Sequence, residues 1–203
     1  MFTGIVETTG TIKKNLVDQT NLELYIDSPI SNELKVDQSV SHNGVCLTVV
    51  EIGNTWHRCT LIKETLDKTN FSALNKGDAV NLERCLKNNS RIDGHFVQGH
   101  IDTTSKITSI VSQHGSWTYT IELGPAFKAF VVSKGSICIN GVSLTISSLM
   151  EDHFQVSIIP YTFDHTNFKS ISAGDLVNIE FDIFGKYVHR MMTLQAQAYF
   201  NPR

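Results

Sequence analysis

Residues 39–50 read SVSHNGVCLTVV, and residues 136–147 read SICINGVSLTIS, the same phrase with cysteine exchanged for serine at its centre. A fixed offset between similar segments is the mark of a duplicated structural unit. Ser143 lies 97 positions after Cys46, and the same interval carries TLDKTNF at 65–71 to TFDHTNF at 162–168 and GDAVNLE at 77–83 to GDLVNIE at 174–180. Near the start of each half the interval slips to 95, where GIVETT at 4–9 answers GHIDTT at 99–104. Two homologous halves are therefore expected, residues 1–95 and 96–183, each the size of a small domain, followed by a short third piece at 184–203.

Within each half the strand signal dominates. LELYI at 22–26, HRCTLI at 57–62, AVNLER at 79–84, WTYTIEL at 117–123, FQVSII at 154–159 and LVNIEFDI at 176–183 alternate or cluster β-branched and aromatic residues. Turn signals such as HNG, NKGD, SKG and ING separate them. Many short strands with regular turns make an all-β sandwich or small barrel. Short helical pieces are expected only around PISNEL at 29–34 and PAFKAF at 125–130, each opened by a proline. The last piece places Tyr187, Met191, Leu194 and Ala198 on one face of a helix, an apolar stripe that reads as an oligomer contact.

A net charge of -3 with 18% charged residues argues against a nucleic-acid partner. No apolar run approaches the roughly 18 residues of a membrane span, and MFTGIVETTG lacks the pattern of a signal peptide, so a cytoplasmic chain is expected. Four cysteines without CxxC spacing read as thiols rather than a disulfide framework. His95 and His100, five apart in an extended segment, would point to opposite faces, which argues against a shared metal.

Where a duplicated chain departs from its own symmetry, the halves can divide labour. Cys46 faces Ser143, Asp37 faces Lys134, Lys63 faces Pro160, Cys85 faces Asp182, and Ile5 faces His100. One half thus supplies a thiol; the other supplies an imidazole able to act as general acid or base, a hydroxyl, a lysine and a carboxylate. Thr48 and Thr145 share a strand face with Cys46 and Ser143, and the NG turn would bring backbone polar groups near a flat heterocycle.

MFTGIV at the N-terminus, NGVCLTV, KETL at 63–66, GHFVQGHID at 94–102, NGVSLTI and the duplication together resemble the riboflavin synthase family. The resemblance implies two six-stranded antiparallel closed barrels plus a C-terminal α-helix, assembled as a homotrimer. Each barrel would bind one 6,7-dimethyl-8-ribityllumazine, and a four-carbon unit would pass between two of them to give riboflavin and 5-amino-6-(D-ribitylamino)uracil, with no cofactor or metal. By the same resemblance the first-barrel site comprises Gly4, Ile5, Val6, Cys46, Leu47, Thr48, Thr60, Leu61, Ile62, Lys63, Glu64 and Thr65. The second comprises Gly99, His100, Ile101, Ser143, Leu144, Thr145, Ile158, Ile159, Pro160, Tyr161, Thr162 and Phe163. Lys134 would reach the lumazine of a neighbouring chain, and Phe2, Ser39 and Asp182 match positions linked to catalysis. His100 is the expected base, and Cys46, a water or a hydroxyl the nucleophile at C7. The resemblance also covers non-catalytic carriers of lumazine or flavin on this fold, and leaves open an association with lumazine synthase.

Overall fold

The computed structural model describes residues 1–200, with side chains through residue 197. Six strands close the first barrel: β1 (Thr8–Asp18), β2 (Asn21–Asp27), β3 (Ser39–His42), β4 (Val45–Ile52), β5 (Trp56–Leu61) and β6 (Ala79–Arg84). Six more close the second: β7 (Thr103–Ser112), β8 (Trp117–Glu122), β9 (Ser136–Ile139), β10 (Val142–Leu149), β11 (His153–Ile158) and β12 (Leu176–Phe181). The strand order β1-β2-β5-β4-β3-β6 is repeated by the equivalent strands of the second barrel, and every pairing is antiparallel. Closure leaves no free sheet edge.

Each barrel encloses its own apolar core. Ile12, Leu24, Ile26, Val40, Val49, Leu61 and Leu82 point into the first; Ile107, Ile121, Ile139, Phe154, Val156 and Ile179 point into the second. Two six-residue helices, α1 (Lys63–Lys68) and α2 (Pro160–His165), follow the fifth strand of each barrel. The two expected proline-led pieces are 3-10 turns at Ser31–Glu33 and Pro125–Phe130.

All three echoes meet where the barrels touch. Asn43 and Gly44, at φ 46° and 82°, and Asn140 and Gly141, at 46° and 79°, form two-residue hairpin turns of the type that needs two positive φ angles. The turns pack against each other so closely that a Cβ on Gly44 would lie 2.8 Å from the Gly141 nitrogen, and one on Gly141 2.7 Å from the Gly44 nitrogen. Around them runs a reciprocal set of buried asparagine bonds. Asn81 Nδ2 donates to the Asn140 carbonyl (2.8 Å) and Asn178 Nδ2 to the Asn43 carbonyl (2.9 Å). The backbone N–H of Asn70 donates to Asn178 Oδ1 and that of Asn167 to Asn81 Oδ1, both at 2.7 Å. Asn70 and Asn167 come from the TNF echo, Asn81 and Asn178 from the GD(A/L)VN echo. Bonds between buried amides and the backbone of the opposite half fix one relative orientation of the barrels. The NG turns expected to approach a ligand thus belong to the barrel junction, and the opening phrase repeats partly for that reason.

The C-terminal helix α3 (Ile183–Phe200) leans on the second barrel. Lys186 Nζ pairs with Asp102 at 2.6 Å, and the His189 ring meets Phe130 edge-on with centroids 4.9 Å apart. Tyr187, Met191 and Leu194, with Val188 and Met192, remain exposed on the other side; the Ala198 side chain lies outside the described residues. No helix among the described residues is long and apolar enough to cross a membrane.

Candidate functional site

The strand after each NG turn carries the cysteine or serine that marks its half. Cys46 on β4 and Ser143 on β10 are half-buried, and their strand neighbours Thr48 and Thr145 are exposed on the same barrel wall. Each receives a visiting segment from the other half. The Cys46 N–H donates to the Gly99 carbonyl (2.9 Å), and the Ser143 N–H donates to the Gly4 carbonyl (2.7 Å). Both visitors need glycine: Gly99 (φ 86°) and Gly4 (φ 75°) occupy the left-handed region, and a Cβ on either would come within 2.5 Å of Cys46 Cβ or 2.7 Å of Ser143 Cβ. Ile101 then packs on the first-barrel core and Val6 on the second.

This exchange corrects the grouping expected from the sequence. Gly99, His100 and Ile101 stand at the first-barrel site, and Gly4, Ile5 and Val6 at the second. A cleft of about 240 Å³ is lined by Cys46, Thr65, Lys68, Gly99, His100 and Ile101, so the thiol and the imidazole assigned to different halves share one cavity. Their second-barrel equivalents are Ser143 and Ile5, neither of which combines thiol and base chemistry.

The segments are held by two buried glutamates at equivalent positions. Glu180 accepts from the N–H groups of Gln98 (2.7 Å), Gly99 (2.9 Å) and His100 (2.9 Å). Glu83 accepts from the N–H (2.7 Å) and Oγ1 (2.9 Å) of Thr3 and from the N–H of Gly4 (3.0 Å). Burial pushes both carboxyls above the usual carboxylate range, while the surrounding donors pull the other way. Between the segments, Phe2 and Val97 form an antiparallel bridge, with Phe2 N–H to Val97 O at 2.8 Å. Phe2 is fully buried there beside Cys138, so it supports the segments from behind.

The remaining residues named from the sequence divide by orientation. Leu47, Leu61 and Ile158 turn their side chains into the barrel cores, leaving only their backbones to face a ligand. Leu144 and Phe163 are partly buried against the second core, Phe163 stacked on Trp117 with centroids 3.8 Å apart. Thr60 Oγ1 is committed to Glu23 at 2.8 Å. Ile62, Lys63 and Glu64 are exposed at the start of α1, as are Ile159, Pro160 and Tyr161 before and within α2, with Thr162 half-buried. Ser39 pairs with Thr48 across β3 and β4, and its side chain offsets part of the upward push of burial on the Cys46 thiol. Asp182 caps the start of α3, accepting from the Phe184 N–H at 3.0 Å. Lys134 is exposed, with Nζ 3.2 Å from the Ser147 carbonyl.

Burial pushes the Cys46 thiol above its ordinary value, so it needs a base to become a thiolate, and His100 lines the same cleft. At the second site the sequence reading missed a partner. His95 Nδ1 lies 2.7 Å from Ser143 Oγ, with the ring held below its ordinary pKa by burial.

A first-half fragment, residues 1–95, lacks the Gly99 segment that covers Cys46. It is expected to self-associate, one copy's Gly4 segment closing the other's Cys46 site; sedimentation showing a ligand-binding monomer would contradict the exchange. Glu180→Gln and Glu83→Gln should cost similar stability, because each carboxylate accepts three bonds. Turnover should separate them: about 10- to 100-fold lower for Glu180→Gln, which displaces His100, with a much smaller loss for Glu83→Gln. Equal kcat losses with unchanged KM in both would reduce the glutamates to generic scaffolding.

The lumazine binding domain family matches this chain twice, at residues 3–85 and 98–182. Riboflavin synthase of Bacillus amyloliquefaciens is 38% identical over 204 residues, covering 99% of this chain and 94% of that protein. Riboflavin synthase of Bacillus subtilis (strain 168) is 40% identical over 193 residues, covering 95% and 90%. Among solved structures, LumP complexed with riboflavin superposes with a TM-score of 0.84 at 26% identity, covering 89% of this chain and 99% of that one. LumP complexed with 6,7-dimethyl-8-(1'-D-ribityl) lumazine gives 0.82 at 26% identity over the same shares. Two matched domains, each closed as a barrel, and full-length identity to curated synthases lead to one conclusion: the chain belongs to the riboflavin synthase family.

Proposed function

We propose that this chain catalyses the dismutation of two molecules of 6,7-dimethyl-8-ribityllumazine to riboflavin and 5-amino-6-(D-ribitylamino)uracil. The observation that carries this reading is the shared cleft of Cys46 and His100, placed in a chain that otherwise presents two equivalent ligand sites. Two lumazines of the same oxidation level supply and receive the four-carbon unit, so the pair balances without an external oxidant or reductant. His100 removes a proton from the C7 methyl group of one lumazine, and the carbanion spreads into the pteridine ring. The partner lumazine takes a nucleophile at C7. Cys46, a water or a hydroxyl fills that role, and its proton leaves to solvent because His100 already carries the methyl proton. At the second site Ser143, Thr145 and the Ser143–His95 pair supply hydroxyl and imidazole contacts without a thiol.

The reaction brings two bound lumazines to one centre, and we assign that juxtaposition to a homotrimer in which Lys134 and the second barrel of one protomer face the first-barrel cleft of the next. The exposed apolar face of α3, formed by Tyr187, Val188, Met191, Met192 and Leu194, supports such an assembly. We place the enzyme in the cytoplasm. A second reading, a carrier that binds lumazine or flavin without turnover, follows from the likeness to the LumP complexes. Incubation of the purified chain with the lumazine alone separates the two: one riboflavin per two lumazines consumed is expected, whereas tight binding with no riboflavin identifies a carrier.

A further inference from the structure

His42, His57 and Cys59 converge inside the first barrel, away from the lumazine clefts. All three are fully buried, and their ligand atoms lie within 4.8 Å of one another. The equivalent positions of the second barrel are Ile139, Phe154 and Val156, all in its apolar core. The fold therefore closes without polar groups at these places, and the first barrel carries three potential ligands together.

The hydrogen bonds orient the rings as metal ligands are oriented. His42 Nδ1–H donates to the Val40 carbonyl at 3.0 Å, which leaves the Nε2 lone pair facing His57 Nε2 at 2.8 Å. His57 Nδ1 bonds to Ser31 Oγ (2.8 Å), which bonds to Ser28 Oγ (2.9 Å). A ligating histidine characteristically anchors its second nitrogen in this way. Cys59 Sγ stands 3.9 Å from His42 Nε2. A trigonal ion at about 2.0 Å from each nitrogen and 2.3 Å from sulfur needs about 3.7 Å between sulfur and nitrogen and about 3.5 Å between the nitrogens. Cys59 Sγ and His42 Nε2 already stand near the first separation, and the imidazole pair must open by about 0.7 Å.

We propose that His42, His57 and Cys59 bind a single Cu(I) ion. Charge selects the ion: a monovalent cation with one thiolate and two neutral imidazoles is neutral overall, whereas a divalent ion would leave a net positive charge in an apolar core. Soft sulfur ligation and three-coordination suit copper as well. On binding, the copper–sulfur bond replaces the Cys59 S–H bond. His57 transfers its proton from Nε2 to Nδ1, which then donates to Ser31, and the Ser31 hydroxyl turns to Ser28. One proton leaves per ion. Ser28 lines a surface cleft of about 410 Å³ with Asp27, Asn32 and Thr55, which gives that proton an exit.

The test is to refold the full chain under argon with Cu(I), wash it with bathocuproine disulfonate to strip accessible copper, and measure the retained metal. About one copper per chain should resist the chelator, with X-ray absorption fitting one sulfur and two imidazole nitrogens. The H42I/H57F/C59V variant, which copies the second barrel and is checked for folding by circular dichroism and lumazine binding, should retain less than about a tenth as much. Cys59→Ser should also lose most of it. No retained copper in the parent chain, a shell of sulfur alone, or zinc retained in place of copper from an equimolar mixture would each overturn the assignment.

Discussion

Replacing His100 with alanine is expected to lower turnover by about 10²- to 10⁴-fold, the usual contribution of a positioned general base, while leaving lumazine affinity nearly unchanged. The asymmetry follows from placement. The backbone of residue 100 is held by Glu180 and its neighbour Gly99 contacts Cys46 through the main chain, so His100→Ala keeps the cleft wall and removes only the imidazole. Single-turnover kinetics beside ligand titration would read the two effects separately, and added imidazole should restore part of the rate. A variant turning over at the parent rate would remove His100 from the mechanism; a parallel loss of binding would make it a wall residue.

The second large effect is expected at Gly99. An alanine there would place its Cβ 2.5 Å from Cys46 Cβ and 2.9 Å from the Cys46 nitrogen, at a φ of 86°. Left-handed backbone costs a non-glycine residue about 1–2 kcal/mol, and the overpacking adds about 1–3 kcal/mol. The segment must leave the Cys46 strand or the strand must shift. Gly99→Ala should therefore lose ligand binding at the first barrel while the second retains it, halving the lumazine bound per chain and abolishing turnover. Gly4→Ala should produce the mirror image at Ser143, where its Cβ would lie 2.7 Å from the serine Cβ. Isothermal titration with a lumazine analogue would count the sites. If Gly99→Ala spared the Cys46 site and damaged the Ser143 site instead, the exchange of segments would be wrong.

The barrels were legible because each echo repeated as a unit and because strands such as Leu22–Ile26 and Phe154–Ile158 alternate cleanly. The long strands β1 and β7 were not. Each carries a register shift, between Ile12 and Lys14 and between Ile107 and Ser109, which breaks the two-residue period on which the strand signal depends. Helices α1 and α2 were too short to show a helical period. Cys46, Ser143 and His100 stood out as chemistry that interrupts an otherwise faithful repeat, yet repetition says only that Gly4 and Gly99 do the same job. It does not say which barrel each serves. That depends on long-range contacts, as does the role of Asn81 and Asn178, whose amides bond to turns of the opposite half. The polar cluster around His42 escaped notice because its second-half equivalents are ordinary core residues, and inward-facing histidines on strands leave no periodic trace.

The crossing of the two N-terminal segments bears on ancestry. With the same exchange, a single-barrel ancestor would have worked as a pair, each copy lending its leading glycine to the other. In such a pair every mutation appears in both sites at once, so an imidazole gained at one would be imposed on the other. Fusing the two copies into one gene released that constraint. His100 could then arise opposite Cys46 while Ile5 stayed opposite Ser143, and two once identical pockets became free to specialise.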